Sequence, residues 1–372
     1  MKRLLVSYLR YILYSFVQLF VIKKNTQKKQ YHAIIRLDAI GDFLLFRNCI
    51  QPICQSNEYK DKQFIFIGNE LWKELFEIED QQYFYHCIWI NRDKFDKNLW
   101  YRYKKLNEVR GFTYDEAISP IYSQDYFHTD WVLKTMHANK KIASKFLTNK
   151  VETWMIKNSK SIYTQFIDTY SFNIFEFERN KLFTEILIHQ QLQIKQPYFN
   201  QKNFSTGLTL SQNYVSIFIG ASHPSKMWNI QNFIEVADYI QSKYKLPAIF
   251  IGKSSAQNID LINNKGHINY VNQTNLIDLL VIIKNSKLLI SHDSCAPHIA
   301  VSVGMSNMIV LYNGLHYGRF LPYPEHMSKQ HIVYHPSFDS NNSNERSIHL
   351  KMDQIKSSQV NEVVDTILKL SS

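Results

Sequence analysis

The sequence predicts an α/β protein with two parallel sheets covered by crossover helices. Short apolar runs alternate with amphipathic segments of helical period along most of the chain, a pattern typical of parallel sheets. The 372 residues exceed what one hydrophobic core supports and suit two domains of ordinary size. With 45% apolar and 20% charged residues, the chain can bury a substantial core in each domain.

Three strands are predicted in the first half of the chain. They are the apolar run that begins at Tyr31, residues 64–67, and residues 116–119 before Pro120. Helices are predicted over residues 43–54, 70–77 and 130–138. Residues 150–190 are rich in aromatic side chains and less regular, so we expect substrate-facing helices and loops there rather than sheet.

The second half shows a clearer alternation. Strands are predicted over residues 214–219, 247–251, 288–290 and 307–312. The helix after the first of these strands has one apolar stripe that we expect to be buried, formed by Ile230, Phe233, Ile234, Ala237 and Ile240. Another helix is predicted over residues 276–283, and a last one has Pro297 in its first turn and ends at Gly304.

The polar segment 195–212 contains Pro and Gly without any period, which predicts a linker between domains. We therefore expect a basic, apolar N-terminal extension (1–30), a first domain (31–200) and a second domain (201–372).

Asp42 is the first candidate catalytic residue, because it follows an apolar strand and Gly41 where a helix is predicted to begin. Without a Cβ, Gly41 can take a positive φ or admit a close approach to the backbone. A carboxylate here lies near the unpaired N–H groups and the positive end of the helix dipole. Two interpretations stay open, an ordinary N-cap and a general base. Asp38 precedes it in the same loop, and two carboxylates held close together would raise the pKa of one of them.

Three polar loops of the second half follow predicted strands, where open α/β sheets bind their ligands. Asp293 and Ser294 precede a helix N-terminus whose free N–H groups suit a diphosphate, and Lys226 in a neighbouring loop could add positive charge. The pattern indicates an anionic ligand. The alternatives are that Asp293 is a helix cap, Lys226 a solvated surface lysine and His298 a core histidine bonded to backbone.

The sequence offers little support for a metal or a cofactor. His223, His292 and His298 do not follow a zinc-ligand spacing, and neither a Gly-x-Gly-x-x-Gly motif nor a Walker loop is present. The four Cys residues, at positions 49, 54, 87 and 295, form no Cys-x-x-Cys pair, which is typical of reduced thiols in a cytosolic protein. We expect no metal ion and no cofactor.

The formal charge of +11 is concentrated at the N-terminus, where residues 1–35 carry seven Lys or Arg and no acid. Residues 4–22 are apolar but interrupted by Arg10, and no signal-peptide cleavage site follows. We expect either a helix in the membrane interface, drawn to anionic lipid, or a helix packed on the protein's own surface; a true span ranks third. The basic residues are not organised as a nucleic-acid-binding motif, so we expect no nucleic acid partner.

Three sequence blocks resemble glycosyltransferase family 9, the heptosyltransferases of lipopolysaccharide core assembly. They are Ile35-Arg-Leu-Asp-Ala-Ile-Gly-Asp42, Gly220-Ala-Ser-His-Pro-Ser-Lys-Met-Trp228 and Ser291-His-Asp-Ser-Cys-Ala-Pro-His298. Their order matches the family's amino-terminal block, its phosphate loop and its Asp-Ser/Thr-Gly-x-x-His block. The resemblance covers most of the chain from about residue 31.

The resemblance implies a GT-B type fold with two facing Rossmann-like domains, the acceptor half first and the nucleotide-sugar half second. It also implies a general base at Asp42 and donor contacts, which are Ser222, Lys226, Asp293, Ser294 and His298. Cys295 stands where the family usually has Gly. Ser254 takes the place of the family's frequent ribose-binding Glu, so either it substitutes for that Glu or the nucleotide differs.

The predicted function is an inverting, metal-independent glycosyltransferase that moves a heptose or related sugar from a nucleotide-sugar donor, ADP-heptose by the resemblance. The expected acceptor is lipid-linked or an oligosaccharide, in a lipopolysaccharide core or another surface glycan. The expected location is cytoplasmic and peripheral to the inner membrane. Two alternatives stay open: a nucleotide-sugar epimerase or hydrolase of the same fold, and a non-catalytic, membrane-associated nucleotide-sugar-binding protein.

Overall fold

The computed structural model describes residues 2–21, 29–123, 125–145, 153–169, 174–201, 204–340 and 349–369. The chain divides into two compact units. The first consists of Met1–Tyr170 and Arg179–Gln193, and the second of Ser171–Glu178 and Ile194–Ser372. Within the described residues, each unit holds one parallel sheet of six strands.

The first unit has the strand order β3-β2-β1-β4-β5-β6. Its strands are β1 (Gln30–Arg36), β2 (Phe64–Asn69), β3 (His86–Ile90), β4 (Thr113–Ser119), β5 (His137–Ser144) and β6 (Gln165–Ile167). Its helices are α1 (Lys2–Leu19), α2 (Ile40–Leu44), α3 (Ile50–Gln55), α4 (Lys73–Glu79), α5 (Arg92–Lys97), α6 (Leu99–Arg110), α7 (Trp131–Thr135), α8 (Thr153–Lys160) and α9 (Glu176–Ile188), the last belonging to this unit from Arg179 on.

The centre of this sheet is buried on both faces, as parallel sheets require. All six residues of β2 are buried, as are six of the seven residues of β1. The register places Ile35 opposite Ile67 on one side and Ile34 opposite Ile118 on the other. This buried centre positions the segment that follows β1.

The second unit has the strand order β12-β11-β10-β7-β8-β9. Its strands are β7 (Val215–Phe218), β8 (Ala248–Ile251), β9 (Ile268–Asn269), β10 (Leu288–His292), β11 (Met308–Tyr312) and β12 (His331–Tyr334). Its helices include α10 (Ile230–Tyr244), α11 (Ala256–Asn264), α12 (Leu276–Asn285), α13 (Cys295–Ser302) and α14 (Ser357–Lys369). The apolar stripe predicted on α10 is confirmed, because all five of its residues are buried.

Several sequence predictions for the first unit are wrong in detail. The helix predicted over residues 43–54 is two short helices, α2 and α3, with a 3-10 turn at Arg47–Cys49 between them. The helix predicted over residues 130–138 ends at Thr135, and β5 begins two residues later. Residues 150–190 do contain a strand, β6, of which only one residue is buried. Strands β5 and β6 escape prediction because their exposed residues break the apolar pattern.

Helix α1 presents one face to the first unit and one to solvent. On the inner face, Tyr14 is only 1% exposed, and the Tyr8 ring stacks on that of Trp154. The prediction of a helix packed on the protein's surface is therefore confirmed for this face. The outer face exposes a stripe that we call the α1 apolar stripe, formed by Leu5, Leu9, Ile12, Phe16 and Leu19. Among the helices that the structure describes, none is both long and apolar enough to cross a bilayer.

Candidate active site

The strand order of the first sheet reverses between β1 and β4, and the chain leaves β1 at this switch point. We call the residues that follow, 37–42, the 37–42 segment. Helix α2 begins earlier than predicted, with Ala39 as its N-cap and no side chain capping it. Asp42 is therefore not the N-cap, and Gly41 lies inside the helix rather than at a turn before it. The Asp42 side chain belongs to the first helical turn, where the helix dipole favours a negative charge.

Arg36, the last residue of β1, is the group around which this segment is organised. Its guanidinium is fully buried and binds both carboxylate oxygens of Asp38, at 2.9 and 3.2 Å. It also donates to the Asp42 carbonyl at 3.1 Å and to the Asn180 side chain at 3.1 Å. A buried arginine with five N–H donors can satisfy several acceptors at once. Arg36 thereby connects both ends of the 37–42 segment.

Two side chains from the next strand and turn fix the backbone of the same segment. The Asn69 amide donates to the carbonyls of Leu37 and Asp38, at 3.2 and 2.9 Å. The Trp72 indole N–H donates to the Asp38 carbonyl at 3.0 Å. The segment is therefore held in place by side chains from outside it.

The two carboxylates of the segment influence each other electrostatically. Burial raises the pKa of Asp38 to about 7, Arg36 opposes the rise, and the charge of Asp42 adds to it. The like-charge effect considered from the sequence is thus present at Asp38, although burial is the larger cause.

In the second unit, Lys226 and Asp293 form an ion pair at the corresponding switch point, between β7 and β10. Their Nζ and Oδ2 atoms are 2.6 Å apart, and both side chains are almost wholly buried. Burial raises the pKa of Asp293, and Lys226 opposes that rise. The alternative of a solvated surface lysine is wrong for Lys226, since it is inside the pair.

Ser294 caps α13, so the alternative that Asp293 is the cap is also wrong. The Ser294 hydroxyl accepts a hydrogen bond from the Ala296 N–H at 3.2 Å. Burial raises the pKa of the Cys295 thiol to about 12, so this side chain is neutral at physiological pH. The start of α13 thus lies directly after the carboxylate that Lys226 binds.

The two buried histidines near this ion pair, His292 and His298, are neutral. Burial lowers the pKa of His292 to about 4 and that of His298 to about 3, with Lys226 adding to the effect at His298. His298 bonds the Tyr323 hydroxyl through Nδ1 at 2.7 Å, so it is a satisfied buried histidine, although its partner is a side chain. His292 accepts the Trp228 N–H at 2.7 Å and thereby ties the β7 loop to β10.

The other predicted donor residues lie in the loops after β7 and β8. Ser222 is exposed. Ser254 accepts a hydrogen bond from the Asn258 amide at 2.8 Å, and its N–H donates to Asn272. Gly252, with φ of +105°, comes so close to Gly220 that a Cβ would lie 3.0 Å from the Gly220 nitrogen. These two glycines let the two loops approach each other.

Among the described residues, no group of three or more His, Cys, Asp and Glu side chains is placed to hold a metal ion.

The sequence did not reveal the residues that bind the candidate site residues, chiefly Arg36, Asn180 and Tyr323. Arg36 stands in the same block as Asp42, and its position as a charged residue at the end of an apolar strand was the available signal. Asn180 and Tyr323 are distant in sequence from the residues they bind, and no local pattern identifies them.

Two doubly wound parallel units, each with polar loops at its switch point, define the class as a GT-B type fold. A family model described as glycosyltransferase family 9 (heptosyltransferase) matches residues 110–347. The chain belongs to this family and is a glycosyltransferase.

Solved structures agree on the fold. A glycosyltransferase family 9 protein from Veillonella parvula DSM 2008 is 15% identical with a TM-score of 0.67, covering 95% of this chain and 99% of that one. The E. coli heptosyltransferase WaaC with ADP is 12% identical with a TM-score of 0.68, covering 91% and 99%. E. coli ADP-heptose LPS heptosyltransferase II is 14% identical with a TM-score of 0.64, covering 92% and 99%. No curated protein sequence gives a significant match.

Proposed function

We propose that this glycosyltransferase moves a heptose or a related sugar from an ADP-activated donor to a lipopolysaccharide core or another surface glycan. The transfer is inverting and needs no metal ion. In this proposal the second unit binds the donor and the first unit provides the base. The observation that carries the proposal is the buried Lys226–Asp293 pair, which stands directly before the N-terminus of α13.

Lys226 and α13 together suit a nucleoside diphosphate. A lysine ammonium has three N–H donors, so the bond to Asp293 leaves two for phosphate oxygens. The free N–H groups at the start of α13 and its dipole favour the same negative charge. The ammonium and the helix then stabilise the charge that develops on the leaving diphosphate, which is the task that a metal ion performs in other transferases. Two similar E. coli structures were solved with ADP and with ADP-2-deoxy-2-fluoro heptose, which supports an ADP-type donor.

Asp42 is the proposed general base. It takes the proton of the acceptor hydroxyl while that oxygen bonds to the anomeric carbon and the bond from this carbon to the diphosphate oxygen breaks. A single displacement of this kind inverts the anomeric configuration. Support comes from the anchored 37–42 segment, in which Arg36 binds both Asp38 and the Asp42 carbonyl.

We also propose that the α1 apolar stripe lies in the cytoplasmic surface of the inner membrane, where a lipid-linked acceptor would be presented. Its five residues follow the spacing of one helix face, and each is more than half exposed. Apolar residues so exposed, beside a sequence that carries seven basic residues and no acid up to residue 35, are typical of an interfacial helix. Of those basic residues, Lys23, Lys24 and Lys28 lie outside the described residues.

The identity of the donor is tested first, and the role of Asp42 as the base is tested second. Thermal shifts with ADP-, GDP-, UDP- and CMP-sugars identify the nucleotide, because a ligand bound only by the folded state raises its apparent stability. With the donor identified, Asp42→Asn should abolish transfer and leave donor affinity unchanged, whereas Asp61→Asn, an exposed control in the same unit, should behave as wild type. EDTA should not reduce turnover.

Other outcomes contradict the proposal. Transfer retained by Asp42→Asn would exclude this base. Release of the nucleotide without any acceptor would favour a hydrolase or epimerase, and binding of the donor without release under any condition would favour a non-catalytic role.

Membrane binding is tested by sedimentation with vesicles that contain anionic lipid. Leu9→Glu and Ile12→Glu together should reduce binding by about a hundredfold or more, because each side chain contributes about 1.5–3 kcal/mol when it leaves water. Leu71→Glu, a charge at an exposed leucine outside α1, is the control. Equal binding by the α1 variant and the control would contradict the proposed contact.

A further inference from the structure

Five charged side chains connect α1 to the 37–42 segment within the first unit. We call them the ion network: Arg10, Asp96, His128, Asp125 and Arg92. Their charges alternate in sign along the series. They come from four separate places in the chain, which are α1, α5, the residue that precedes the turn Tyr126–Asp130, and that turn itself.

The contacts of the ion network are short and continuous. Arg10 lies 2.6 Å from Asp96, which lies 3.0 Å from His128 Nε2. The other ring nitrogen of His128 lies 2.7 Å from Asp125. Asp125 lies 3.1 Å from Arg92 Nη1, and the same Nη1 donates to the Leu37 carbonyl at 2.6 Å. The network therefore ends on the backbone of the 37–42 segment.

Most of these groups favour the charged form of their neighbours. Burial and the like charge of Arg92, whose Nη2 lies 3.1 Å from His128 Nδ1, disfavour a protonated His128, but Asp125 and Asp96 outweigh them and raise the pKa of this histidine above its ordinary value. The pKa of Asp125 is well below its ordinary value, because His128 and Arg92 outweigh the opposing effect of burial. A partly buried series of alternating charges loses more when one member is removed than an exposed pair does.

Helix α1 is attached at the same place by two contacts of Tyr14. The Tyr14 hydroxyl donates to the Asp96 carbonyl at 2.9 Å. The buried Arg102 guanidinium lies 3.5 Å from the centre of the Tyr14 ring and donates to the Phe127 carbonyl. The backbone near Asp96 and His128 is thus bound by Tyr14 of α1 and by Arg102 of α6.

We propose that Arg92 is a positioning residue for Asp42, and that the ion network makes the position of the 37–42 segment depend on α1. The proposal rests on the proposed function in one respect, the role of Asp42 as base. Helix α1 is then part of the acceptor-side machinery in addition to any contact with lipid.

Hydrogen exchange on the full chain without ligand tests the end of the ion network where Arg92 contacts the 37–42 segment. The Phe43 and Leu45 amides bond to the Ala39 and Gly41 carbonyls, so they report opening of the segment. Arg92→Met should raise their exchange rates about tenfold, the effect of losing a charge-assisted hydrogen bond, and Arg92→Lys should give a smaller rise. The control is Lys94→Met, an exposed cation on the same helix. Unchanged exchange in both Arg92 variants would overturn the proposal.

The end of the ion network on α1 is tested with Arg10→Met, which removes the contribution of α1 to the network. Exchange at Phe43 and Leu45 should rise again, by a smaller factor than in Arg92→Met, and Arg10→Lys should restore protection in part. If Arg10→Met accelerates exchange within α1 alone, the dependence of the segment on α1 is refuted.

Kinetics separate this proposal from the proposed function. Arg92→Met should lower kcat and leave the KM for the nucleotide sugar within about twofold, because a displaced base affects the chemical step and not donor binding. If Asp42→Asn remains active while Arg92→Met still accelerates exchange, the base assignment fails and the network stands. If exchange is unchanged in the Arg92 variants while Asp42→Asn is inactive, the network fails and the base stands.

Discussion

Removal of Lys226 should lower the stability of the folded protein, because it breaks the buried Lys226–Asp293 pair from one side. Both side chains are about nine-tenths buried, so Lys226→Met leaves the Asp293 carboxylate without its cation in a region poor in water. Breaking a buried ion pair from one side destabilises a protein by about 3–5 kcal/mol. For a unit of this size each kcal/mol lowers the Tm by about 2–4 °C, so we expect a fall of about 10 °C at pH 8.

The pH dependence and a second substitution test whether the unpaired Asp293 carboxylate causes this loss of stability. Since burial raises the pKa of Asp293, the lone carboxyl group takes up a proton as the pH falls, and the loss of stability should be smaller at pH 5 than at pH 8. The double variant Lys226→Met, Asp293→Asn has no buried charge here and should recover most of the Tm. It should not recover affinity for ADP, which the proposed function assigns to the ammonium.

Calorimetry of unfolding and of ADP binding provides both quantities. Lys287→Met, which removes an exposed lysine of the same unit, is the control and should change the Tm by no more than a degree or two. If Lys226→Met unfolds at the wild-type temperature at pH 8, or if the double variant is no more stable than the single one, an uncompensated buried charge at Asp293 is excluded.

Three further predictions concern single residues. Burial raises the pKa of Asp38 to about 7, so ionisation of Asp38 destabilises the folded wild-type protein as the pH rises from 5 to 8. Asp38→Asn lacks this ionisation, although it also loses the ion pair with Arg36. The free energy of unfolding of the variant minus that of wild type, measured with urea, should therefore be more positive at pH 8 than at pH 5, whatever its sign. Gly252→Ala should lose about 2 kcal/mol or more, since its φ is positive and the Gly220 nitrogen is close, whereas Gly266→Ala, with a positive φ in open space, should lose less. Ser294→Ala should lose about 1 kcal/mol with the helix cap. Ser294→Asp should keep that stability and still weaken ADP binding by charge repulsion, and equal affinity in the two variants would contradict a diphosphate at α13.

The central strands were predictable because they are largely buried and contain short apolar runs. Those are β1, β2, β4, β7, β8, β10 and β11. The outer strands were not, since β6 has one buried residue of three and β9 has only two residues, both partly exposed. Position at a sheet edge removes the periodic signal on which such predictions depend.

The candidate site was predictable where a loop follows an apolar strand, as at Asp42, Lys226 and Asp293. The pairing of Lys226 with Asp293 was not predictable. It depends on β7 and β10 being neighbours in the sheet, and the order of the strands is not encoded in any local sequence pattern. The N-cap interpretation of Asp42, one of the two left open from the sequence, is wrong, since the helix starts at Ile40 with Ala39 as an N-cap whose side chain makes no capping bond, a start that residue preferences do not identify.

The place of β10 beside β7 determines when the Lys226–Asp293 pair can form during folding. In the described part of the chain, strands β8, β9 and β10 and three helices lie between Lys226 and Asp293 in sequence, so the pair cannot form as a local contact early in folding. Distant segments of this kind meet only when the whole sheet assembles. A bound nucleotide would accordingly protect every strand of that sheet from denaturant together, and a fragment lacking the last third of the chain would have no residual affinity for it.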